Sequence, residues 1–525
     1  MPILNWIGKD AVVNHDKDVP FRLLKKKKSK SKGDSENLIV EGDNLEALKA
    51  LLPYYQNKIK CIYIDPPYNT GNEKWVYNDN VNSPKIKKWL GKIVGNENED
   101  LTRHDKWLCM MYPRLKLLRR LLREDGIIFV SIDYREFATL KLLLDEIFDG
   151  ELLSMITVKV KDPAGVGQES PIFDVCEYLL VYTKNMEKSK AKIQSKSFES
   201  HLYDDVVKGY TKAISNFGKS KFVKELNRQN VGKIQIYSCK NYEIKKFKKN
   251  TDFEDYKIHF EHTFADYNIS GGMLNAIKKD IPEKGLSYIE YVPIKGKDAG
   301  KLTKVYFYNR RTIAWLKSIS KINQDGYIEK NQKISNLWNI PNASLGSEGG
   351  VEFTNGKKPL ALLKKILALA TDENDIILDS FAGSGTTGEA VLQQNKEDGG
   401  NRKFILIELE SDICKNVTSQ RVKNAIEGYG KVEGTNGGFQ YAVLDKKLFN
   451  SDGRINETCT FGELASYIFL TETKTILDTK KINKTLIDTF NDTEFHLIFD
   501  GIGKNKLDRK FLTNLDKQKT KIIYA

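Results

Sequence analysis

Cysteine is scarce in this chain of 525 residues: there are six, Cys61, Cys109, Cys176, Cys239, Cys414 and Cys459, with no CxxC pair among them. That scatter argues against a disulfide framework and predicts reduced, mostly buried thiols in a cytosolic protein. Histidine is equally sparse at six. His259 and His262 lie three apart beside Glu261 but have no second ligand pair, so no metal site is expected. No uninterrupted apolar run reaches the roughly 18 residues of a membrane span, and the N-terminus shows no signal-peptide pattern, so neither membrane insertion nor export is expected. No internal repeat is present. Acidic charge falls short of basic, 70 Asp and Glu against 84 Lys and Arg, which leaves a net charge of +14 and a pI near 9.1. Such a balance favours a large polyanion as partner.

Proline is also sparse, 13 in all, which makes the adjacent pair in Asp65-Pro66-Pro67-Tyr68 conspicuous. The apolar run Ile59-Lys60-Cys61-Ile62-Tyr63-Ile64 delivers it, so the segment reads as a buried strand ending in a stiff, polar, aromatic-tipped loop. Two prolines can join neither a sheet ladder nor a helix interior, so they hold the backbone extended and fix the directions of Asp65 and Tyr68. Taken alone, a Pro-Pro-Tyr is also compatible with a turn or a polyproline ligand.

Residues 1–36 are polar and end in the run Lys25 to Lys32, expected to be a solvated, mobile loop. From Asn37 strands and helices alternate. Strand 38–40, helix 45–52 and strand 59–64 form a βαβ-sized unit. A helix at about 105–123, a turn at Asp125-Gly126, a strand at 127–132, a helix at 136–147 and a strand at 178–182 follow. This rhythm implies a parallel sheet covered on both faces. It fails between about 185 and 335, where Lys, Asn, Tyr and Ser dominate and Tyr306-Phe307-Tyr308-Asn309-Arg310-Arg311 interleaves rings with bases. That composition suits a nucleic-acid surface or an ordinary β-rich domain. Alternation resumes with helix 359–370, strand 376–379, a glycine loop, helix 389–394 and strand 404–408. Residues after about 430 read as a separate tail.

Gly383-x-Gly385-x-x-Gly388, between a strand and a helix, has the context of a dinucleotide fingerprint, and Glu408 lies 20 residues beyond its last glycine. Glycines let the backbone approach a ligand, the helix start favours an anionic group, and an acidic residue ending the next strand accepts from ribose hydroxyls. An adenosine-bearing cofactor is implied, with a nicotinamide cofactor and S-adenosylmethionine both fitting. Hydride transfer commonly needs a His relay, and none lies near either loop. The Asp65 clamp instead suits a planar amine, whose –NH2 can donate to the Asp65 carboxylate and the Pro66 carbonyl while Tyr68 stacks on the ring. Bonds of that kind free the nitrogen's lone pair for in-line attack on a methyl donor.

Asp-Pro-Pro-Tyr upstream of a Phe-x-Gly-x-Gly loop, with a long insertion between, resembles the permuted β group of amino-methylating DNA methyltransferases. An Asp-led clamp there implies N6-adenine. Gly42 to Leu48, Asp65 to Gly71, Tyr77 to Asn80, Trp107 to Leu115, Glu177 to Tyr182 and Gly349 to Pro359 resemble modification subunits of type III restriction systems, and Leu464 to Phe469 does so more weakly. The resemblance implies a Rossmann-like α/β fold with a mostly parallel sheet, circularly permuted motif order, an inserted target-recognition domain and a C-terminal extension. Its expected boundaries are a basic segment 1–36, a catalytic half 37–185, the recognition insert 186–335, a cofactor-binding half 336–428 and a C-terminal domain 429–525. It implies catalytic roles for Asp65, Pro66, Pro67 and Tyr68, and contacts to S-adenosyl-L-methionine from Asp43, Asp379, Phe381, Gly383, Gly385, Thr386 and Glu408. Lys358 lies in a matched motif but reads equally well as a solvated lysine. Expected partners are double-stranded DNA, a second copy of the chain and an ATP-driven restriction subunit. A solitary DNA or RNA amino-methyltransferase, or a non-catalytic DNA-reading subunit, are the alternatives.

Overall fold

The computed structural model describes residues 4–69, 103–161, 174–196, 198–202, 207–228, 232–248, 251–294, 299–323, 326–340, 345–353, 356–450, 454–456, 458–473, 475, 477–499, 505–515 and 518–525. Thr70, Gly71, the motif Tyr77 to Asn80, the loop Asp162 to Gly167, Thr354 and Asn355 lie outside the described residues. The chain divides into two compact units, Met1–Lys196 with Ser335–Ala525, and Ser197–Ile334.

The first unit is built on ten strands: β1 (Arg22–Lys26), β2 (Leu38–Glu41), β3 (Ile59–Ile64), β4 (Leu122–Ile132), β5 (Leu152–Lys159), β6 (Cys176–Thr183), β7 (Leu337–Asn339), β8 (Ile376–Asp379), β9 (Lys403–Glu408) and β10 (Gln440–Lys447). Their order is β1-β10-β2-β9-β8-β3-β4-β6-β5-β7. All six residues of β3 are buried, as a central strand covered on both faces requires. Lys60 survives there because its ammonium donates to Asp125 O at 2.6 Å and Asp125 Oδ2 at 2.9 Å.

Helix α1 (Asn44–Tyr55) starts where Asp43 Oδ1 accepts from Leu45 N at 2.9 Å and Glu46 N at 3.3 Å. Its buried Leu45, Leu48 and Leu52 join one core with Trp107, Leu108, Met111, Leu115 and Leu118 of α2 (Arg103–Leu121). Helices α3 (Tyr134–Ile147), α4 (Met186–Lys196), α5 (Leu360–Ala370), α6 (Thr386–Asp398) and α7 (Ser419–Glu427) complete the elements that matter for the site.

Most neighbouring strands of the sheet pair in parallel, as the family resemblance implies. Antiparallel pairing occurs where β6 meets β4 and β5 and where β1 meets β10. Four local expectations need correction. Asp125-Gly126 does not turn the chain. It sits inside β4, where register jumps from Ile59↔Leu122 to Cys61↔Ile127, so the turn-forming residues make a bulge in a continuing strand. The tail is not separate: β10 inserts into the main sheet parallel to β2, with Tyr441 and Ala442 buried. The lysine run is not a free loop. β1 is the sheet's outermost strand and pairs antiparallel with β10, while Lys30 meets Glu41 at 3.4 Å and Lys32 pairs with Glu427. Lysines on an edge strand keep their charges in water while the backbone is paired. Helix α4, assigned from sequence to the insert, lies in the first unit, where Ile193 is buried and Lys196 pairs with Asp372 at 2.5 Å.

The second unit contains an eight-stranded antiparallel sheet. Alternation along its strands gives one face Ile234, Ile236, Ile289 and Phe307, clustered with Ile269, Ile277 and Ile281. The opposite face carries the ring row Phe222, Tyr237, Tyr288, Tyr306 and Trp315, with successive centroids 5.7, 4.8, 5.3 and 5.5 Å apart. All six cysteines are free thiols, five of them buried.

Candidate active site

Strands β2, β9, β8 and β3 lie side by side and parallel, so their carboxyl ends share one edge of the sheet. Each ends at or beside an acid: Asp43, Glu408, Asp379 and Asp65 in spatial order. Ligands of open α/β sheets bind at that edge. Pairing of β3 with β8, through Cys61↔Ile377 and Ile62↔Leu378, brings the proline clamp beside the glycine loop across more than three hundred residues of sequence.

The clamp is held from three sides. Trp107 is fully buried and its Nε1–H donates to the Pro67 carbonyl at 2.6 Å. Asn69 adopts φ +57° and its amide donates to Arg103 O at 3.2 Å and to Glu136 at 2.5 Å. Glu136, wholly buried, also meets His104 Nδ1 at 2.6 Å. The Tyr68 hydroxyl donates to Glu177 Oε2 at 3.0 Å. Lys358 Nζ donates to Glu177 Oε2 and to the Tyr68 oxygen, both at 2.5 Å, and stands 3.3 Å from Asp65 Oδ1. That last contact is one of charge. Asp65 Oδ1 is buried and no donor among the described residues meets it in hydrogen-bonding geometry.

Burial pushes the Asp65 carboxyl up to about 6; Lys358 pulls it down and the Glu177 charge raises it further. For Lys358, burial works against the ammonium, but Asp65 and Glu177 outweigh it and hold its pKa above the usual lysine value. The lysine is only 11% exposed in its side chain, so it is a member of the site and not a solvated residue.

The glycine loop is braced from beneath. Asp379 accepts from Phe381 N at 3.0 Å and from the Thr387 hydroxyl at 2.6 Å; burial raises its carboxyl to about 7. Glu408 Oε2 accepts from Gly383 N at 3.0 Å and Oε1 from Glu410 N at 2.8 Å, while burial raises this carboxyl to about 8. Gly385 has φ +80°, and a Cβ there would fall 2.9 Å from Thr418 O. Gly388 lets α6 approach the sheet: a Cβ would lie 2.9 Å from Val422 Cγ2. Local geometry therefore demands glycine at both positions.

Between clamp and loop lies a cleft of about 300 Å³, counting the solvent at its mouth, lined by Tyr63, Asp65, Gly356, Lys358, Asp379, Phe381, Ala382, Gly383, Ser384, Thr386 and Thr387. Of the residues expected at a site, Asp65, Asp379, Phe381, Gly383 and Thr386 come together in this one cleft. Pro66, Pro67 and Tyr68 follow Asp65 directly. Gly385 and Glu408 lie behind the wall and shape it. Asp43 caps α1 and faces Arg114 at 3.4 Å, one strand beyond Glu408. Trp107 and Glu177 open stretches that resemble the type III family but were given no site role from sequence, and Glu136 and Arg421 were not singled out at all. The signal for Glu177 was an acid opening the apolar run Tyr178 to Tyr182, and for Arg421 there was none.

The relationship to known proteins follows that geometry. A type III restriction-modification relative of Haemophilus influenzae, described as the probable HindVI Mod subunit, is 32% identical over 448 residues, 80% of this chain and 55% of the relative. The EcoP15I Mod subunit of Escherichia coli is 29% identical over 442 residues, 78% of this chain and 64% of the relative. The chain thus spans between about half and two thirds of the length of these relatives. Among solved structures, the complex of M1.HpyAVI with SAM aligns over 73% of this chain and 98% of its own, at 14% identity and a TM-score of 0.31. PvuII DNA methyltransferase, cytosine-N4-specific, aligns over 75% of this chain and 89% of its own, at 12% identity and 0.33. Superpositions at those scores add nothing to the fold read from the strands themselves. The model of the N6/N4 DNA methylase family matches residues 59–419, from the clamp strand through the glycine loop, and the chain belongs to that family.

Proposed function

We propose that the chain transfers a methyl group from S-adenosyl-L-methionine to N6 of adenine in double-stranded DNA, as the modification subunit of a type III restriction-modification system. The observation that carries this is Asp65 Oδ1, a buried carboxylate oxygen with an empty acceptor position, on the wall of a glycine-loop cleft. A planar amine fits that position, and an amine is what this family methylates.

The chemistry of the cleft's lining also suits the donor. At one end are the start of α6, a helix of 13 residues, and the Ser384 and Thr386 hydroxyls, which suit a carboxylate. Toward the other, strand ends carry Glu408 and Asp43, which suit ribose hydroxyls and an adenine amine. Two N–H bonds still leave Glu408 with hydrogen-bonding capacity, as an acceptor and, when protonated, as an O–H donor. S-adenosylmethionine supplies the methyl on a positively charged sulfur and leaves as the neutral thioether.

This chain's residues do the rest by position. Asp65 accepts an N–H of the amine and turns the nitrogen's lone pair out of conjugation with the ring. Tyr68, fixed by Glu177, offers a face to an extruded base. The Trp107 bond to Pro67 and the Asn69 bond to Glu136 keep the clamp from relaxing. Asp65, with its carboxyl near 6, is placed to take the proton that the methylated nitrogen sheds.

DNA as the acceptor is supported by charge. Residues 197–334 hold 26 Lys and Arg against 16 Asp and Glu, so this unit carries 10 of the chain's net 14 positive charges. Adenine rather than cytosine rests on the Asp-led clamp. Type III membership rests on the Mod-subunit relatives, and from it follow a dimer, a restriction subunit as partner and work in the prokaryotic cytoplasm. Among the described residues no helix is long and apolar enough to cross a membrane.

The test is transfer of labelled methyl to unmethylated genomic DNA, followed by nucleoside analysis. N6-methyladenine is expected. Asp65→Ala is expected to abolish transfer and leave cofactor binding intact. Absence of transfer to any DNA, or label on cytosine, would sink the corresponding part of the reading.

A further inference from the structure

Behind the glycine loop lies a buried ionic network that the clamp chemistry does not use. Arg421, on α7, is fully buried. Its Nε–H donates to Glu389 Oε2 at 2.6 Å, and both side chains are 0% exposed. Its Nη1 donates to Thr386 Oγ1 at 2.7 Å and to Ser384 Oγ at 3.2 Å, the two hydroxyls on the cleft wall. Nη2 stands 3.6 Å from the Glu348 carboxylate, outside hydrogen-bonding geometry. Glu389 further accepts from the Tyr429 hydroxyl at 2.6 Å and from Gln393 Nε2 at 2.9 Å. Gly349, at φ +72°, packs so tightly on the arginine that a Cβ would lie 2.5 Å from Arg421 Cγ.

This arrangement has a direction. Both hydroxyls accept from the same guanidinium edge, so their own hydrogens point away from it. That of Thr386 has Lys358 O at 3.2 Å; that of Ser384 has Thr386 Oγ1 at 3.1 Å or a ligand in the cleft. An arginine stays charged in a protein interior. Glu389 balances it on the far side, leaving the positive end of the pair toward the loop. A buried ion pair rarely repays its desolvation as stability alone, which argues for a task. The same hydroxyls sit at the first turn of α6, where the helix already favours an anion.

We propose that Arg421 is a positioning residue for the carboxylate of the cofactor's methionine end, acting through Ser384 and Thr386. It fixes the Thr386 hydroxyl, turns that of Ser384 toward the cleft and makes the glycine loop more favourable to negative charge. The assignment rests on S-adenosylmethionine being the donor, and its test separates the two claims by using binding alone.

The full chain is titrated calorimetrically with S-adenosylhomocysteine and with S-adenosyl-thiopropylamine, the same molecule without its carboxylate. In Arg421→Met/Glu389→Met, which removes the pair together and leaves no lone buried charge, the first ligand is expected to weaken about 10-fold and the second less than about 2-fold, as loss of one charge-assisted contact implies. Equal weakening of both ligands, or of neither, would make Arg421 a scaffold residue only and overturn the proposal. Should that variant fail to fold by circular dichroism, Ser384→Ala/Thr386→Val leaves the ion pair intact. The same selective loss is expected there, and equal or absent loss overturns the proposal. A wild-type chain that binds neither ligand would refute the cofactor reading itself, and this proposal with it.

Discussion

Lys358 Nζ lies 2.5 Å from Glu177 Oε2 and 3.3 Å from Asp65 Oδ1, so one ammonium bridges the clamp carboxylate and a second acid on β6. The bridge sets the charge state of Asp65 and makes it sensitive to both neighbours.

Activity is therefore expected to depend on pH through Asp65, because in the proposed reaction its ionised form is the stronger acceptor and the form that can take the proton. With the carboxyl raised to about 6, kcat/KM should rise with pH through that value and then level. Glu177→Gln removes a charge that raises Asp65 and leaves Lys358 to pair with it alone, so the limb should move to lower pH. Lys358→Met should move it higher. A profile measured from pH 5 to 9 at saturating cofactor reads both shifts, and a limb that stays in place in both variants would contradict the coupling.

Asp379 and Glu408 should make the fold less stable as pH rises. Burial raises them to about 7 and about 8, so the folded state binds their protons more tightly than the unfolded chain does. That contribution is fully present below their ordinary values near 4 and is lost as pH climbs through the folded ones. Without ligand, the melting temperature should fall between about pH 5 and 8, and Glu408→Gln should flatten the decline. A wild-type melting curve that improves with pH over this range would refute the assignment.

Trp107→Phe keeps an aromatic ring, deletes the bond to Pro67 O and leaves part of the indole's buried space unfilled. An unsatisfied buried carbonyl costs about 1–3 kcal/mol. Urea unfolding should show a loss of at least that size, since the smaller ring adds a cavity term, and kcat should fall more than cofactor affinity because the clamp, not the glycine loop, loses its brace. Loss confined to cofactor affinity would place Trp107's influence elsewhere.

Much of the site was legible from local pattern. Ile59 to Ile64 is a strand with the boundaries its apolar run implies, and the glycines at 383 and 385 do take positive φ. Lys358 was ambiguous because a lysine after Gly356-Lys357 looks the same in sequence whether it is solvated or buried between two acids. Asp125-Gly126 misled because turn chemistry also makes bulges when a strand's outer residues keep their pairing. Residues after 430 misled because β10 finds its partners, β1 and β2, about four hundred positions upstream.

The sequence by itself determined the chemistry on offer: a rigid Asp-led clamp, a glycine loop opening a helix, an acid ending the next strand, and a basic, ring-rich insert. These follow from short-range rules of backbone freedom and side-chain type. Only the tertiary structure decided that β3 lies against β8, which turns two distant loops into one cleft. It alone put Lys358 and Glu177 on Asp65, and Arg421 behind Thr386. Those relations depend on parallel pairing and helix packing between segments far apart in the chain, where local periodicity carries no information about the partner.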